Sequence, residues 1–249
     1  MSMHAVVLAA GQGTRMKSDL AKVLHRVAGR SLLDWALGEL AGLPLSSVAV
    51  VVGHQAAAVS AAIADHEMAP LVATALQSEQ LGTGHAAAIG LAALAVQPTD
   101  TVLVMPGDMP LLKAETLGIM VHMHRESGAA ATVATAIMSD PTGYGRVKRA
   151  EGRVVAIVEQ ADATAAEAAI AEVNTSVYTF QAGLLGELLD RLDTANAQGE
   201  QYLTDVVGML AMSGEMVEGF VIDSEEAMGV NTPAQLAAAD AVLRQRSMG

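Results

Sequence analysis

The chain has no cysteine among its 249 residues, and only 2% of them are aromatic. The absence of cysteine excludes disulfides, thiolate catalysis and cysteine-bound zinc. Hydrophobic residues nevertheless make up 52% of the sequence, so the core must consist mainly of small and aliphatic side chains. A chain of this length can bury a large α/β core, and small side chains favour close packing of helices on a sheet.

Positive charge is also scarce, since 14 basic residues face 27 acidic ones and the formal net charge is −13. A balance this acidic argues against nucleic acid or an anionic membrane as a partner. The sequence has no apolar run near the ~18 residues that a membrane-spanning helix needs. Its start, MSMHAVVLAAG, has no basic leader and predicts a first strand instead of a signal peptide. We therefore expect a cytoplasmic protein.

Strand and helix patterns alternate through the first half of the chain. HAVVLAA, SVAVVVG and DTVLVMPGD are continuous apolar segments, typical of buried parallel strands, and helical patterns separate them. After about Ala129, the segments AAATVATAIM, GRVKRAEGRVVAIVE and AEVNTSVYTF read as strands joined by turns. We predict one α/β domain over residues 1–249: a Rossmann-like, doubly wound sheet with an antiparallel, substrate-binding part in its second half.

The loop after the first strand gathers glycine and positive charge. In VVLAAGQGTRMKSDLAKVL, the strand leads into Gly11 and Gly13 and then into Arg15, Lys17 and Lys22. Glycine permits positive φ and close backbone approach, which leaves amide N–H groups free to bind oxyanions. Arginine and lysine add charge-assisted hydrogen bonds to phosphates. Because the segment is neither GxGxxG nor a Walker sequence, an anion site and an ordinary turn with exposed cations both stay open.

Other polar positions also allow two interpretations. Asp108 of PGDMPLL follows a buried strand, where its carboxylate needs either a cation or the donors of a helix or turn cap. QSEQLGTGHA is either a loop that contacts a base or a glycine turn with Thr83 as the N-cap of a helix. His122 and His124 lie two apart on a predicted helix and diverge, so a metal role for them is disfavoured.

Eight segments together carry a family resemblance. The opening LAAGQGTRM…K resembles the signature of the sugar-1-phosphate nucleotidyltransferases, and seven more segments match that family in order: QSEQLGTGHA, PGDMPLL, GYGRVKR, IVEQADA, EVNTSVY, NAQGEQYLTD and GVNTPAQL. They run from about Val6 to Leu236, nearly the whole chain. One such motif alone is weak support for the resemblance, whereas eight motifs in the same order are specific for the family. Within the family, the segments are most similar to those of uridylyltransferases that act on N-acetylglucosamine 1-phosphate.

The resemblance implies a GT-A-like nucleotidyltransferase fold with a nucleotide-binding half at about 1–128 and a sugar-binding half at about 129–249. It implies that Arg15 and Lys22 are catalytic because they neutralise a triphosphate, whereas Lys17 lies outside the family pattern and is expected to be solvated. The residues that it implies for nucleotide binding are Leu8, Ala9, Ala10, Gly11, Gly13, Gln77, Gly82 and Thr83. Gln80 is expected to support the loop that carries Gln77, Gly82 and Thr83.

The resemblance also implies a magnesium ion on Asp108 and Asn231, because carboxylate and amide oxygens suit that cation. It implies that the sugar is bound by Gly145, Glu159 and Asn174. Two positions of the sugar-binding segments depart from the family pattern: Ser176 stands where glycine is usual, and Ala161 stands where lysine is usual. A side chain at position 176 leaves the choice of acetamido sugar less firmly indicated than the choice of uridine.

The implied activity is magnesium-dependent transfer of UMP from UTP to N-acetylglucosamine 1-phosphate. Its partners are small molecules only, UTP and the sugar 1-phosphate. A related enzyme that uses CTP or another sugar 1-phosphate stays open, as does a protein that binds nucleotide sugars without turnover. The family's usual second half, a trimer-forming β-helix with acetyltransferase activity, is not expected here because the sequence has no hexapeptide repeat; the oligomeric state stays undetermined.

Overall fold

The computed structural model describes residues 1–247, so the last two positions of the predicted domain lie outside the described residues. The α-helices are α1 Leu32–Ala41, α2 Ala56–Ala64, α3 Thr83–Ala92, α4 Ala114–Ser127, α5 Ala165–Ala168, α6 Ala182–Leu189, α7 Leu203–Met212 and α8 Pro233–Arg246. The strands are β1 Met3–Ala9, β2 Arg26–Val27, β3 Arg30–Ser31, β4 Ser47–Val52, β5 Val72–Leu76, β6 Thr101–Pro106, β7 Ala131–Ile137, β8 Arg146–Ala150, β9 Arg153–Val158, β10 Glu172–Gln181 and β11 Val217–Val221.

A mixed sheet organises the fold in the order β11-β7-β10-β6-β1-β4-β5. The strands β6, β1, β4 and β5 are parallel, as the continuous apolar segments predict. Strand β10 is antiparallel to both β6 and β7, and the β8–β9 hairpin joins the sheet through β10. The α/β fold class is thereby confirmed, including the antiparallel part in the second half.

Alternate side chains of the central strands enter two cores, one on each face of the sheet. On β1, Ala5 and Val7 belong to the core covered by α1, α2 and α4, whereas Val6 belongs to the core covered by α3, α6 and α7. Val50 and Val51 of β4 divide in the same way. Because both faces are buried, the strands show unbroken apolar runs instead of alternation.

Small side chains let the helices lie close to this sheet. A Cβ atom at Gly90 of α3 would lie only 2.3 Å from Val6 Cγ1, so helix and strand touch at a position that admits no side chain. The expected close packing follows from the alanine- and valine-rich composition. It also explains why so few aromatic residues suffice for the core.

The side chain that precedes α1 caps its helix, whereas the alternative that Thr83 caps α3 is wrong. The Ser31 hydroxyl caps α1 by accepting from the Asp34 N–H at 3.0 Å. Thr83 is not an N-cap: Gly82 holds that position and Thr83 is the first residue of α3. The Thr83 hydroxyl instead accepts from the Leu203 N–H at 3.1 Å, because the segment before α7 crosses this helix end.

Within residues 1–247, none of the helices is both long and apolar enough to cross a membrane. Helix α4 carries the two histidines of HMHRE in different surroundings. His124 is buried, 3% exposed, and its Nδ1 lies 3.0 Å from Thr132 Oγ1, whereas His122 is exposed. The divergence that disfavours a metal role for the pair is therefore confirmed.

We expect His124 to make stability fall in acid. Burial, assisted by the positive charge of Arg125, lowers the pKa of His124 from 6.5 to about 4. A lowered pKa means that the unfolded chain binds the proton first, so stability is complete above pH 6.5 and falls towards pH 4. Between pH 7 and pH 4.5 this group alone removes about 2 kcal/mol from the free energy of unfolding.

The measurement is denaturant unfolding at both pH values for wild type, His124→Gln and His122→Gln. The loss between the two pH values should shrink in His124→Gln and stay as in wild type in the exposed control, His122→Gln. An equal acid loss in all three proteins would contradict the assignment.

Candidate functional site: a cation cluster between two cavities

The carboxyl ends of four parallel strands meet at one edge of the sheet. In the register of β1 and β6, Leu8 lies opposite Pro106, so the loops that follow both strands start side by side. The Gly107 N–H donates to the Leu8 carbonyl at 3.0 Å and ties these loops together. In open α/β sheets this edge is where ligands bind.

The glycine loop after β1 packs directly on the stem of Lys22. Gly13 has φ +66°, and a Cβ atom there would lie 2.7 Å from Lys22 Cβ. Gly11 is different, because a Cβ atom there would meet nothing within 4 Å. Gly13 therefore lets the lysine pass close to the loop, and Gly11 presents open backbone to the space above the strand.

Two cations and two oxygen-bearing side chains converge beyond this loop. The Lys22 ammonium forms an ion pair with the Asp108 carboxylate and donates to Asn231 Oδ1 at 3.1 Å. Arg15 Nη2 donates to the same Asn231 oxygen, also at 3.1 Å. Asp108 is 7% exposed, so its charge needs these partners. We call Arg15, Lys22, Asp108 and Asn231 the cation cluster; the structure brings its four predicted members together.

The chain after β11 delivers Asn231 to this edge. The Val230 N–H donates to the Asp108 carbonyl at 2.9 Å, and Gln235 Oε1 accepts from the Asn231 N–H at 2.9 Å. Thr232 caps α8, so Thr232 and Gln235 have the Thr-x-x-Gln spacing of a capping box. Sequence reasoning missed Gln235 as a support for the site, although this spacing was a signal that could have revealed it.

The donor set at this point fits a magnesium ion. Asp108 Oδ2 and Asn231 Oδ1 both contact the Lys22 ammonium, so the two oxygens already converge on one positive charge. Both are hard oxygen donors, the type that magnesium binds while phosphates and waters fill its other positions. Within residues 1–247 there is no cluster of three or more His, Asp or Glu that could hold a metal without such help.

A cavity of 290 Å³ lies beside the cluster, above the ends of β1 and β5. Gln80 Nε2 donates to the Ala10 carbonyl at 2.9 Å and so connects the loop after β5 to the loop after β1. The predicted nucleotide residues that line the cavity are Leu8, Ala9, Ala10, Gly11, Gln77, Gly82 and Thr83, together with Lys22 and Asp108 of the cluster. Gly13 is not in the lining and acts through its contact with Lys22.

The loop at the start of α3 has a fixed shape. Gln77 is buried and its amide donates to the Gly82 carbonyl at 3.1 Å. Gly82 has φ +113°, and a Cβ atom there would lie 2.5 Å from the Gln201 carbonyl oxygen. Glycine is therefore required at this position, which holds the loop edge of the cavity against the segment that precedes α7.

A second cavity, of 370 Å³, lies on the other side of the cluster. All three predicted sugar residues line it. The Asn174 N–H donates to the Gly145 carbonyl at 2.9 Å, and a Cβ atom at Gly145 would lie 3.4 Å from Glu159 Oε2. The β8–β9 hairpin and β10 thus place Glu159 and Asn174 next to Gly145.

The electrostatics of the second cavity differ from those of the cluster. Burial raises the pKa of Glu159, with the Thr204 hydroxyl opposing it and nearby carboxylates adding to it. Burial, followed by the negative charge of Asp108, raises the pKa of Tyr144, which also lines this cavity. Beyond the four residues of the cation cluster, which also line this cavity, its polar side chains are neutral apart from Glu159, and such groups suit the hydroxyls of a sugar.

Three further positions that the sequence singles out are Lys17, Ala161 and Ser176. Lys17 is exposed, with φ +52°, and lines neither cavity, in agreement with a solvated role. Ala161 also lies outside both linings, whereas Ser176 lines both. Among positions not predicted for the site, Thr142 and Gly143 line the second cavity; Gly143 is the first residue of the GYGRV segment, in which the predicted sugar residue is Gly145.

A glycine loop followed by cations, an acidic residue after the strand beside it, and two cavities at the carboxyl edge define the class of nucleotidyltransferases. Residues 5–175 match the family model described as the MobA-like NTP transferase domain. This match covers more than half of the chain, and the chain belongs to that family.

Curated relatives extend the match to nearly all of the chain. The "Bifunctional protein GlmU" of Pelobacter propionicus is 50% identical over 98% of this chain and 53% of its own length. The protein of the same name from Brevibacillus brevis is 47% identical over 99% of this chain and 52% of its own length. The chain therefore spans about half the length of the curated relatives it matches.

Solved structures share the fold at low sequence identity. A UDP-glucose pyrophosphorylase complexed with UDP-glucose superposes with a TM-score of 0.78 at 16% identity, covering 99% of this chain and all of the other. The inositol-1-phosphate CTP transferase from T. maritima gives a TM-score of 0.70 at 17% identity, covering 93% of this chain and 90% of the other.

We expect Gly13→Ala to damage the chain more than Gly199→Ala. Both glycines have φ +66°, so alanine at either position costs about 1 kcal/mol for the left-handed conformation. Only at position 13 does the new methyl group also collide with Lys22, which adds about 1–3 kcal/mol of overpacking. Denaturant unfolding measures the difference, and titration with a nucleoside triphosphate should show weaker binding for Gly13→Ala alone. Equal losses in both variants would contradict the contact.

Proposed function

We propose that this chain transfers UMP from UTP to N-acetylglucosamine 1-phosphate, with magnesium, and releases pyrophosphate. The observation that supports this best is the cation cluster, which lies between a cavity suited to a nucleotide and a cavity suited to a sugar. An oxygen of the sugar phosphate attacks the α-phosphorus of UTP, and the bond from that phosphorus to the bridging oxygen of pyrophosphate breaks. Because nucleoside triphosphates are held inside the cell, the proposed reaction is cytoplasmic.

The charge of the cluster supports phosphate binding. Asp108 supplies one negative charge against the two positive charges of Arg15 and Lys22, so the cluster is net positive in a chain whose formal charge is −13. A triphosphate would replace the Asn231 oxygen as the partner of both cations. Arg15 and Lys22 then stabilise the negative charge that develops on the leaving pyrophosphate.

Asp108 and Asn231 are the residues that we propose as magnesium ligands. The ion, when bound, supplies Lewis-acid stabilisation of phosphate oxygens. The attacking sugar phosphate is already an anion at neutral pH, so the chain needs no nucleophile of its own. Its contribution is alignment of the two substrates and neutralisation of charge.

The two substrates divide between the two cavities. On the nucleotide side, Gly11 offers open backbone and the buried Gln77 stands at the rim formed by Gly82 and Thr83, where amide groups can match a pyrimidine edge. On the acceptor side, Glu159 and Asn174 can accept from and donate to hydroxyls. The UDP-glucose pyrophosphorylase that shares this fold is complexed with UDP-glucose, a nucleotide sugar, which supports a product of this class.

A second acceptor is supported by one observation. Ser176 lines both cavities, and a serine there leaves less room than glycine would, which favours a sugar 1-phosphate with a smaller group near the anomeric carbon. Binding of a nucleotide sugar without turnover is less well supported, because binding alone does not require the complete cation cluster.

The test is pyrophosphate release across a panel of UTP, CTP, ATP and dTTP with several sugar 1-phosphates, with magnesium and with chelator. We expect release with UTP and N-acetylglucosamine 1-phosphate in magnesium and none with chelator. A preference for CTP or for another sugar would establish the related enzyme instead. Tight binding of a nucleotide sugar with no release from any pair would overturn the proposal.

We expect Asp108→Asn to lower turnover by about 100-fold, close to 3 kcal/mol of barrier, because it removes the charged metal ligand. The matched control is Asp100→Asn, which changes a buried carboxylate at the opposite end of β6, where it accepts from the Ser2 and Gln97 N–H groups. The control should lose stability and keep its magnesium dependence. Turnover near wild type for Asp108→Asn in saturating magnesium would contradict the metal assignment.

A further inference from the structure

Five non-glycine residues of the described chain have positive φ, and Ser176 is the one of them that lines the cavities of the candidate site. Its φ is +63°, whereas the other four lie away from both cavities: Lys17, Ala28, Gln55 and Glu151. A left-handed serine is unfavourable and persists only where the surrounding structure imposes it. Strain of this kind inside a site points to a functional constraint.

A bulge in β10 imposes this conformation. The pairing of β10 with β7 shifts register between Asn174 and Tyr178, and Ser176 lies at the centre of that shift. The Ser176 N–H donates to Asn174 Oδ1 at 3.0 Å, and Asn174 Nδ2 donates to the Tyr178 hydroxyl at 2.6 Å. Since buried Tyr178 anchors the strand on the far side, the backbone at position 176 cannot turn the side chain away without breaking this chain of contacts.

Ser176 lies at the boundary of the two cavities. The residues that line both cavities are Lys22, Thr83, Pro106, Asp108 and Ser176. If the proposed function holds, the phosphate that joins the two substrates lies at this boundary. The acceptor atoms nearest to it are then the 1-phosphate, the anomeric carbon and the substituent on the neighbouring ring carbon, carbon 2.

We propose that Ser176 determines acceptor specificity by limiting the size of the substituent on carbon 2 of the sugar 1-phosphate. Ser176 lines both cavities, and a serine takes space that glycine would leave open. The site therefore favours a hydroxyl or amino group at carbon 2 over a bulky acetamido group, compared with a chain that carries glycine there. The inference rests on the proposed transfer to a sugar 1-phosphate and adds to it the residue that selects the sugar.

The opposing explanation is purely structural. In that case the bulge at Ser176 shapes only β10 and the amide of Asn174, and the side chain at position 176 does not meet the acceptor. Removal of the side chain would then relieve strain without changing the relative use of different sugars. The two explanations therefore differ in one ratio, the kcat/KM for N-acetylglucosamine 1-phosphate divided by that for glucose 1-phosphate.

The experiment measures this ratio, and the KM for UTP, in wild type, Ser176→Ala and Ser176→Gly. We expect the ratio to rise about 10-fold in Ser176→Gly and by a smaller factor in Ser176→Ala, which keeps the Cβ atom. The KM for UTP should stay within about twofold of wild type, because the change widens the acceptor side. Thermal unfolding of each variant verifies that it is folded.

The matched control is Glu151→Gly, which removes a second left-handed residue, φ +50°, from the exposed turn between β8 and β9. It should leave the ratio at its wild-type value. An unchanged ratio in Ser176→Gly, an equal change in Glu151→Gly, or a parallel change in the KM for UTP would each overturn the inference. Failure of wild type to release pyrophosphate with every sugar would overturn the proposed function itself, and with it the inference, so the two failures are distinct.

Discussion

The ion pair between Lys22 and Asp108 is the interaction on which the arrangement of the site depends. Asp108 is almost fully buried at the end of a central strand, and an unpaired carboxylate there would be strongly unfavourable. Lys22 reaches it because Gly13 leaves room for the lysine stem, and Asn231 reaches both through the backbone contact of Val230 with Asp108. One buried charge thus binds together the loop after β1, the loop after β6 and the start of α8.

The rigid support for this cluster comes from the composition of the chain. Small residues allow α3 to lie against β1 at Gly90 and allow both faces of the central strands to be covered. A core that is packed on both faces fixes the strand ends, and the strand ends fix the loops. Catalysis by alignment needs such fixed positions, since a displacement of about 1 Å can reduce the rate by orders of magnitude. The low aromatic content is therefore one reason why the residues of the site are held in fixed positions.

Much of this arrangement could be predicted from the sequence because it depends on local patterns. Continuous apolar runs identified β1, β4 and β6, and their parallel pairing follows from burial on both faces. The meeting of Asp108 with Asn231 could not be derived from spacing, because 123 residues separate them, and it was expected only from the family resemblance. The role of Thr83 at α3 was missed because its partner, Leu203, belongs to a distant segment whose path no local pattern reveals. The support that Gln235 gives Asn231 was local, and the Thr-x-x-Gln spacing could have indicated it.

The separation of the cluster's members along the chain also has a consequence for biosynthesis. Arg15 and Asn231 are 216 residues apart, and their hydrogen bond joins the first loop of the chain to the start of α8. A ribosome releases residue 231 after the other three members of the cluster, so the nascent protein lacks the amide that completes the cluster until this segment has emerged. Until then Asp108 has Lys22 as its available counterion, which protects the growing sheet edge from an uncompensated charge. Ligand capture is therefore postponed until the segment that carries Asn231 has been synthesised.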